Sequence, residues 1–325
     1  MRRKNSRISE LLTIGNGIFV SIIILAILLI FAAIAVPRVF QLNNLTNVLK
    51  TNAPAGIMAL GLAMVLLTGE IDISIGSIMS LSVMVISLVI DYSEPLALVA
   101  MIAVGAICGF INGFIVAKLR VPSMMVTIGT LSAYGGLASI ITNAQAKFMT
   151  SSYPIYTFLA KGDICGVPVT FILCLVFALM FWILTTKTKF GKNLYYTGAN
   201  KRAAWMSGIR IDHIKIIAFM ICGILAALAG PMITTQIGRS NSDAGSGQEV
   251  TAIAIAVLGG VSLDGGRGSI LGVFFGMITM GILVNMLALA GLGTYVEQAV
   301  KGLLIIVVVF VYGFVNRKTG VLKES

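Results

Sequence analysis

The residues of this sequence that could do chemistry are few, and they cluster in four short stretches. The first is Gly69-Glu70-Ile71-Asp72-Ile73-Ser74-Ile75-Gly76, where two carboxylates and a hydroxyl interrupt apolar runs. Carboxylates beside a membrane span are costly unless solvated, paired or capping a helix. Asp72 or Ser74 is placed to cap the helix that follows, accepting hydrogen bonds from its free N–H groups. The alternative is a break in the spanning helices that lines a solute path, with Asp72 and Ser74 facing it.

The second stretch is Gly105-x-x-x-Gly109-x-x-x-Gly113, which contains Asn112, with a counterpart at Gly268-x-x-x-Gly272-x-x-x-Gly276. Small residues four apart let helices approach closely in lipid. Asn112 and Asn285 either bond between helices or face a solute, and packing is the reading the small-residue spacing favours. The third stretch runs from Gly245-Ser246-Gly247-Gln248-Glu249 to Gly268 and is dense in glycine. It carries no Gly-x-x-x-x-Gly-Lys-Ser/Thr, so ATP chemistry, if any, belongs to another polypeptide. The fourth, Thr188 to Ile209, is basic. Asn200 can open a short helix there and Gly208 can close it, leaving Ala203, Ala204 and Trp205 as a compact, partly apolar knob for a cytosolic partner.

No enzyme emerges from these residues. There is no histidine cluster, no pair of carboxylates on one helix face and no nucleophile with a base at hand. The four cysteines show neither disulfide nor metal spacing. The one histidine, His213, stands at a helix entrance. No metal and no cofactor is expected.

The elements that position these stretches are membrane spans. Of the 325 residues 58% are hydrophobic and only 11% charged, and the mean hydropathy is +1.01. A soluble domain carries about 25% charged residues. The apolar runs are continuous rather than alternating, which selects helices over a barrel. The run at 18–36 ends in Pro37-Arg38 at full spanning length, as a first transmembrane helix does and a cleavable signal does not. Nine more are read at 53–68, 75–90, 96–117, 124–142, 168–185, 214–234, 250–262, 268–290 and 295–315. The one at 250–262 is short enough to be re-entrant.

Ten crossings place both termini on one side, and the 23 basic residues then divide 17 to 6 in favour of the side assigned as cytoplasmic. The net charge of +11 is thereby explained by orientation rather than by nucleic-acid binding. The expected architecture is all-α and integral to the membrane, with about ten transmembrane helices, some short or broken. It forms one domain over 1–325, with a cytoplasmic N-terminal segment (1–15), a cytoplasmic loop (186–213) and a cytoplasmic tail (316–325). Leu67 to Ile78 also echoes Leu258 to Ile270 with one inserted residue. An internal duplication and chance likeness in glycine-rich sequence both account for that.

Together the four stretches resemble the ribose-type permeases of bacterial ATP-binding-cassette importers. The resemblance rests on Gly69–Gly76, on Asn112-Gly113 with Val121-Pro122-Ser123, on Phe190 to Ile209 and on Glu249 to Gly268, in that order, over about residues 40–315. It implies a membrane-spanning permease subunit in the bacterial inner membrane that translocates a monosaccharide or sugar-like solute. The implied partners are a second permease, identical or related, cytosolic ATPase subunits, and a periplasmic or lipid-anchored solute-binding protein. It assigns coupling to the ATPase to Gly198, Asn200, Ala203, Ala204 and Gly208. Asp72, Ser74, Asn112 and Glu249 become candidates for the translocation path. One departure stands out: the second glycine usual in the first motif is Glu70 here. An ion-coupled secondary transporter is the rival reading, and it requires a carboxylate or histidine deep in a span.

Overall fold

A computed structural model describes residues 17–143, 145, 147–148 and 153–318. The basic segment 1–15 and the tail beyond Lys318 lie outside the described residues. The chain is helical almost throughout: α1 (Gly17–Ala35), α2 (Leu42–Leu67), α3 (Ile75–Val89), α4 (Glu94–Lys118), α5 (Ser123–Ile141), α6 (Pro154–Lys161), α7 (Val169–Lys187), α8 (Lys189–Ala199), α9 (Lys201–Met206), α10 (Ile211–Ile237), α11 (Gln248–Leu258), α12 (Ile270–Leu289) and α13 (Thr294–Lys318). Two-residue strands pair at Lys147–Phe148 with Arg239–Ser240 and at Asp163–Ile164 with Val167–Pro168.

Among the described residues seven helices, α1, α2, α4, α5, α7, α10 and α12, are long and apolar enough to cross a membrane. Two of the expected spans are shorter. With 15 and 11 residues, α3 and α11 reach about 22 and 16 Å at 1.5 Å per residue, against a ~30 Å hydrocarbon core. They are half-helices that begin or end inside the protein. The run read as 53–68 is a longer helix, which starts at Leu42.

The core forms around α2, which is buried on every side from Ala53 to Thr68, as expected of a helix apolar all round. α10 and α12 flank it, and α10 in turn carries α4. The α4–α10 contact is the one the Gly105, Gly109 and Gly113 spacing predicts. A Cβ on Gly105 would lie 2.5 Å from the carbonyl oxygen of Gly223, and one on Gly109 would lie 2.3 Å from that of Phe219. The second small-residue series brings α12 equally close to the end of α11. Asn285 and Asn44 exchange amide hydrogen bonds at 2.8 and 2.9 Å between α12 and α2, so Asn285 is a packing residue.

Two prolines lie inside spanning helices, and each frees a carbonyl four residues earlier. Pro54 in α2 releases Lys50 O, which accepts from Thr170 Oγ1 and Gln236 Nε2, both at 3.2 Å. Pro231 in α10 releases Ala227 O, which accepts from Ser82 Oγ at 3.4 Å. Side chains from neighbouring helices thus satisfy backbone that lipid could not.

A helical glycine replaced by alanine should gain about 1 kcal/mol from propensity alone, unless the new methyl has no room. Gly109→Ala is therefore expected to destabilise the protein by about 1–3 kcal/mol. Gly129→Ala on α5, with nothing within 4 Å, should be neutral or stabilising. Thermal unfolding of the two variants in detergent compares them directly.

Candidate functional site

Helices α2 and α11 end in the same way. After α2 the N–H groups of Gly69 and Glu70 return to the carbonyls of Leu66 and Val65, with Gly69 at φ +76. After α11 the N–H groups of Gly260 and Val261 return to Val257 and Ala256, with Gly260 at φ +78. Both are left-handed glycine caps closed by a six-to-one bond. The sequence echo between Leu67–Ile78 and Leu258–Ile270 thus begins with the same helix-ending turn in both places.

The turn after α2 lies directly on the loop at Gly265–Gly266, which follows the turn that ends α11. Gly266 N–H donates to Leu67 O at 3.0 Å, and a Cβ on Gly265 would lie 2.6 Å from Gly69 Cα. The end of α8 completes the junction. A Cβ on Gly198 would be 2.1 Å from Leu67 O and 2.4 Å from Gly266 N, and Gly266 itself lies against Ala199. Tyr195 on α8 donates its hydroxyl to Gly268 O at 3.0 Å. Three turns from distant parts of the chain therefore meet backbone to backbone.

Beyond this junction α9 projects. Asn200 caps it, accepting from Ala203 N–H at 2.9 Å. Gly208, at φ +77, closes it with bonds from Gly208 N–H to Trp205 O and from Ile209 N–H to Ala204 O. The expected knob differs in one respect: Ala204 faces inward and is 3% exposed, while Trp205 and Met206 are 72% and 75% exposed. Two large side chains stand free there on a helix only six residues long.

Glu70 ties α9 to the junction electrostatically. Its Oε1 accepts from Lys215 Nζ at 2.6 Å and from Lys201 Nζ at 3.1 Å. Lys201 begins α9, and Lys215 is the fifth residue of α10. Burial alone would push the Glu70 carboxyl up. The hydrogen bond and charge of Lys215, a hydrogen bond with Ser123 and the charge of Lys201 outweigh it and hold the group below 4.5. The backbone beside it is fixed as well, since Ile71 N–H donates to Ser123 Oγ at 3.2 Å.

The path candidates separate into two places. Asp72, Ser74 and Asn112 come together and are fully buried. Asp72 Oδ1 accepts from Ser74 N–H at 2.9 Å and from Ser74 Oγ–H at 2.6 Å. Asn112 donates to Ser74 Oγ at 2.7 Å, and Tyr134 donates to Asn112 Oδ1 at 3.2 Å. Ser74 is the cap position of α3, yet its side chain makes no capping bond. The expected cap is replaced by a network that joins the break to α4 and α5.

Glu249 lies across the start of α3 instead, where a Cβ on Gly76 would meet its Oε2 at 2.2 Å. The segment before α11 presses on the same turn: Gly245 N–H donates to Ser80 Oγ at 2.9 Å. Asp72 Oδ2 and Glu249 Oε2 are buried without a hydrogen-bond partner among the described residues. Among the described residues no group of three His, Cys, Asp or Glu side chains could hold a metal ion. Sequence reasoning missed Lys201 and Lys215 as partners of Glu70, from which they are 131 and 145 residues away. The available signal was Lys215 itself, a cation at the point where α10 turns from polar to apolar residues.

Comparison with known proteins points one way. The family model described as branched-chain amino acid transport system / permease component matches residues 44–309. The Ribose import permease protein RbsC of Escherichia coli (strain K12) is 35% identical over 296 residues, covering 90% of this chain and 92% of the relative. Its counterpart in Bacillus subtilis (strain 168) is 34% identical over 88% of this chain and 89% of its own. The Autoinducer 2 import system permease protein LsrC of Photorhabdus luminescens is 34% identical over 89% and 88%. No solved structure matches.

The Glu70 ion pairs have a pH signature. A carboxyl held low in the folded state stabilises it above the unfolded pKa, and that contribution fades as pH falls through the folded one. Glu70→Gln leaves Lys215 buried without its counter-charge, a loss of about 3–5 kcal/mol for a buried pair. The thermal stability gap between wild type and Glu70→Gln should be full at pH 7. It should close as pH falls well below 4.5, the ordinary value for this group.

Proposed function

The chain belongs to the branched-chain amino acid transport system / permease component family, and from that premise we propose that it is the membrane-spanning subunit of an ATP-driven importer for a monosaccharide or sugar-like solute. Relatives named for ribose and autoinducer 2 import support the solute class. ATP would be hydrolysed by partner subunits in the cytosol. A second permease, identical or related, would complete the path, and a periplasmic or lipid-anchored binding protein would deliver the solute. In this reading about ten crossings in the bacterial inner membrane leave both termini and the α8–α9 segment in the cytoplasm. The short helices α3 and α11 count among those crossings, each completed by the non-helical segments around it.

The observation that carries this reading is the junction of Gly69, Gly198 and Gly265–Gly266. α9 offers Trp205 and Met206 outward, as a docking element does, with aromatic residues prominent among those that anchor interfaces. The end of α8 that leads into it packs on the turn that ends α2 and on the Gly265–Gly266 loop after α11. A load applied to α9 by a nucleotide-dependent partner would be delivered at once to both broken-helix turns. The half-helices begin at those turns or lie beside them, so their movement would open or close the path around Asp72, Ser74, Asn112 and Glu249. Gly198, Asn200 and Gly208 shape this lever, Ala204 seats it, and Ala203 lies on its exposed side.

The test is capture of the ATPase subunits and solute uptake in liposomes. Trp205→Ala should weaken capture about tenfold or more, as loss of an interface anchor does, with uptake falling in proportion. Ala203→Arg should act in the same direction while the chain remains folded. A chain that purifies alone and drives uptake with a proton or sodium gradient would replace this reading by ion-coupled transport.

A further inference from the structure

The face that carries α9 also holds a basic cavity, whose edge includes Trp205 and Gly208 of the docking element. A cavity of about 750 Å³ opens between the end of α4, the start of α5, α9 and the first turn of α10. Five cations line it, Lys118, Arg120, Lys201, Arg210 and Lys215, against two carboxylates, Glu70 and Asp212. The excess is three positive charges in one concavity.

The cations are not equally engaged. Lys118 pairs with Asp212 at 3.0 Å, and Lys201 and Lys215 share Glu70. The guanidinium groups of Arg120 and Arg210 have no ion pair or hydrogen bond among the described residues. Arg120 also holds a left-handed backbone, at φ 57, in the tight link between α4 and α5. Such a conformation is uncommon outside glycine. Arg210, at the cap position of α10, makes no side-chain capping bond. The two guanidinium groups are donors without an acceptor among the described residues, and a phosphate oxyanion is the acceptor that planar guanidinium groups match best.

The source of the phosphate follows from what adjoins the cavity. Leu119, Met124 and Met125 are exposed on the adjoining ends of α4 and α5, and these helices are long and apolar enough to span. Cations in a pocket at the end of spanning helices, continuous with exposed apolar surface, fit a lipid with its headgroup inside and its chains alongside. Basic pockets of this kind between membrane helices bind anionic headgroups. We infer that the cavity between α4, α5, α9 and α10 binds the phosphate headgroup of an anionic membrane phospholipid, with Arg120 and Arg210 as its principal ligands. Because Lys201 and Lys215 also line it, a bound lipid would touch the Glu70 cluster that seats α9. The inference goes beyond the importer reading and stands without it.

The experiment is lipid retention by the full chain. The protein is incorporated into nanodiscs of phosphatidylcholine with a minor fraction of phosphatidylglycerol, re-extracted in detergent, and its bound lipid quantified by mass spectrometry. Wild type should retain phosphatidylglycerol selectively. Arg120→Ala with Arg210→Ala should bind it roughly thirtyfold more weakly, about fivefold for each cation removed near a membrane surface. Lys50→Ala with Lys161→Ala, at a separate surface cavity, should retain as much as wild type. Equal retention by the arginine variant, or equal retention of phosphatidylcholine, would overturn the inference. Displacement by millimolar inorganic phosphate would overturn the lipid assignment and make the cavity a site for free phosphate. Loss of the lipid whenever ATPase subunits are bound would also overturn it, since a partner segment would then fill the cavity.

Discussion

Gly69, Gly198 and Gly265–Gly266 bring three segments together backbone to backbone, with no side chain to separate them. Interior packing is dense and bistable rather than compliant, so turns that nest at this range move together or come apart. That constraint ties a six-residue helix at the periphery, α9, to the core. Its N-terminal end is continuous with the junction, Ala204 is buried beneath it, and Lys201 at its first position joins the buried Glu70. Glu70, in place of the glycine usual in this motif, adds charge to a seat that is otherwise made by shape.

Around the junction the chain solves a second problem, that of irregular backbone at membrane depth. α3 and α11 are too short to cross, and the segments that extend them would expose polar groups to lipid. The structure buries those segments in protein. Asp72, Ser74, Asn112 and Tyr134 bond to one another at the start of α3, and Ser80 receives Gly245 N–H from the segment before α11. The same logic serves the prolines, whose freed carbonyls are met by Thr170, Gln236 and Ser82. Hydrogen bonds between elements thus hold both half-helices in place in this structure.

Much of this was legible in the sequence because its signals are local. Apolar length marks the spans, glycine spacing marks the α4–α10 and α11–α12 contacts, and Asn200 with Gly208 marks both ends of α9. The signals that failed were those settled by three-dimensional context. Asp72 and Ser74 read as caps because local rules favour carboxylates and hydroxyls at helix starts, but a buried asparagine from α4 recruited them instead. Ala203, Ala204 and Trp205 read as one exposed knob, whereas on a helix consecutive residues face different directions, and Ala204 turns inward. The lysines that neutralise Glu70 could not be found from spacing, because they arrive from another helix pair. Glu249 lies beside Gly76 rather than with Asp72, a placement set by how the segment before α11 folds back on α3.

The central claim is that α9 and the two broken-helix turns move as one body. Spin labels at Arg202 on α9 and at Asp264 in the turn after α11, both exposed, allow their separation to be measured by pulsed electron resonance. The measurement is made in the complex with its ATPase subunits, with and without a non-hydrolysable nucleotide. The account predicts an unchanged distance between these labels, while the distance from Arg202 to a label at Asn43, at the other end of α2, shifts with nucleotide. A change in the Arg202–Asp264 distance itself would mean that α9 slides over the turns, and the junction would not be the element that transmits the load.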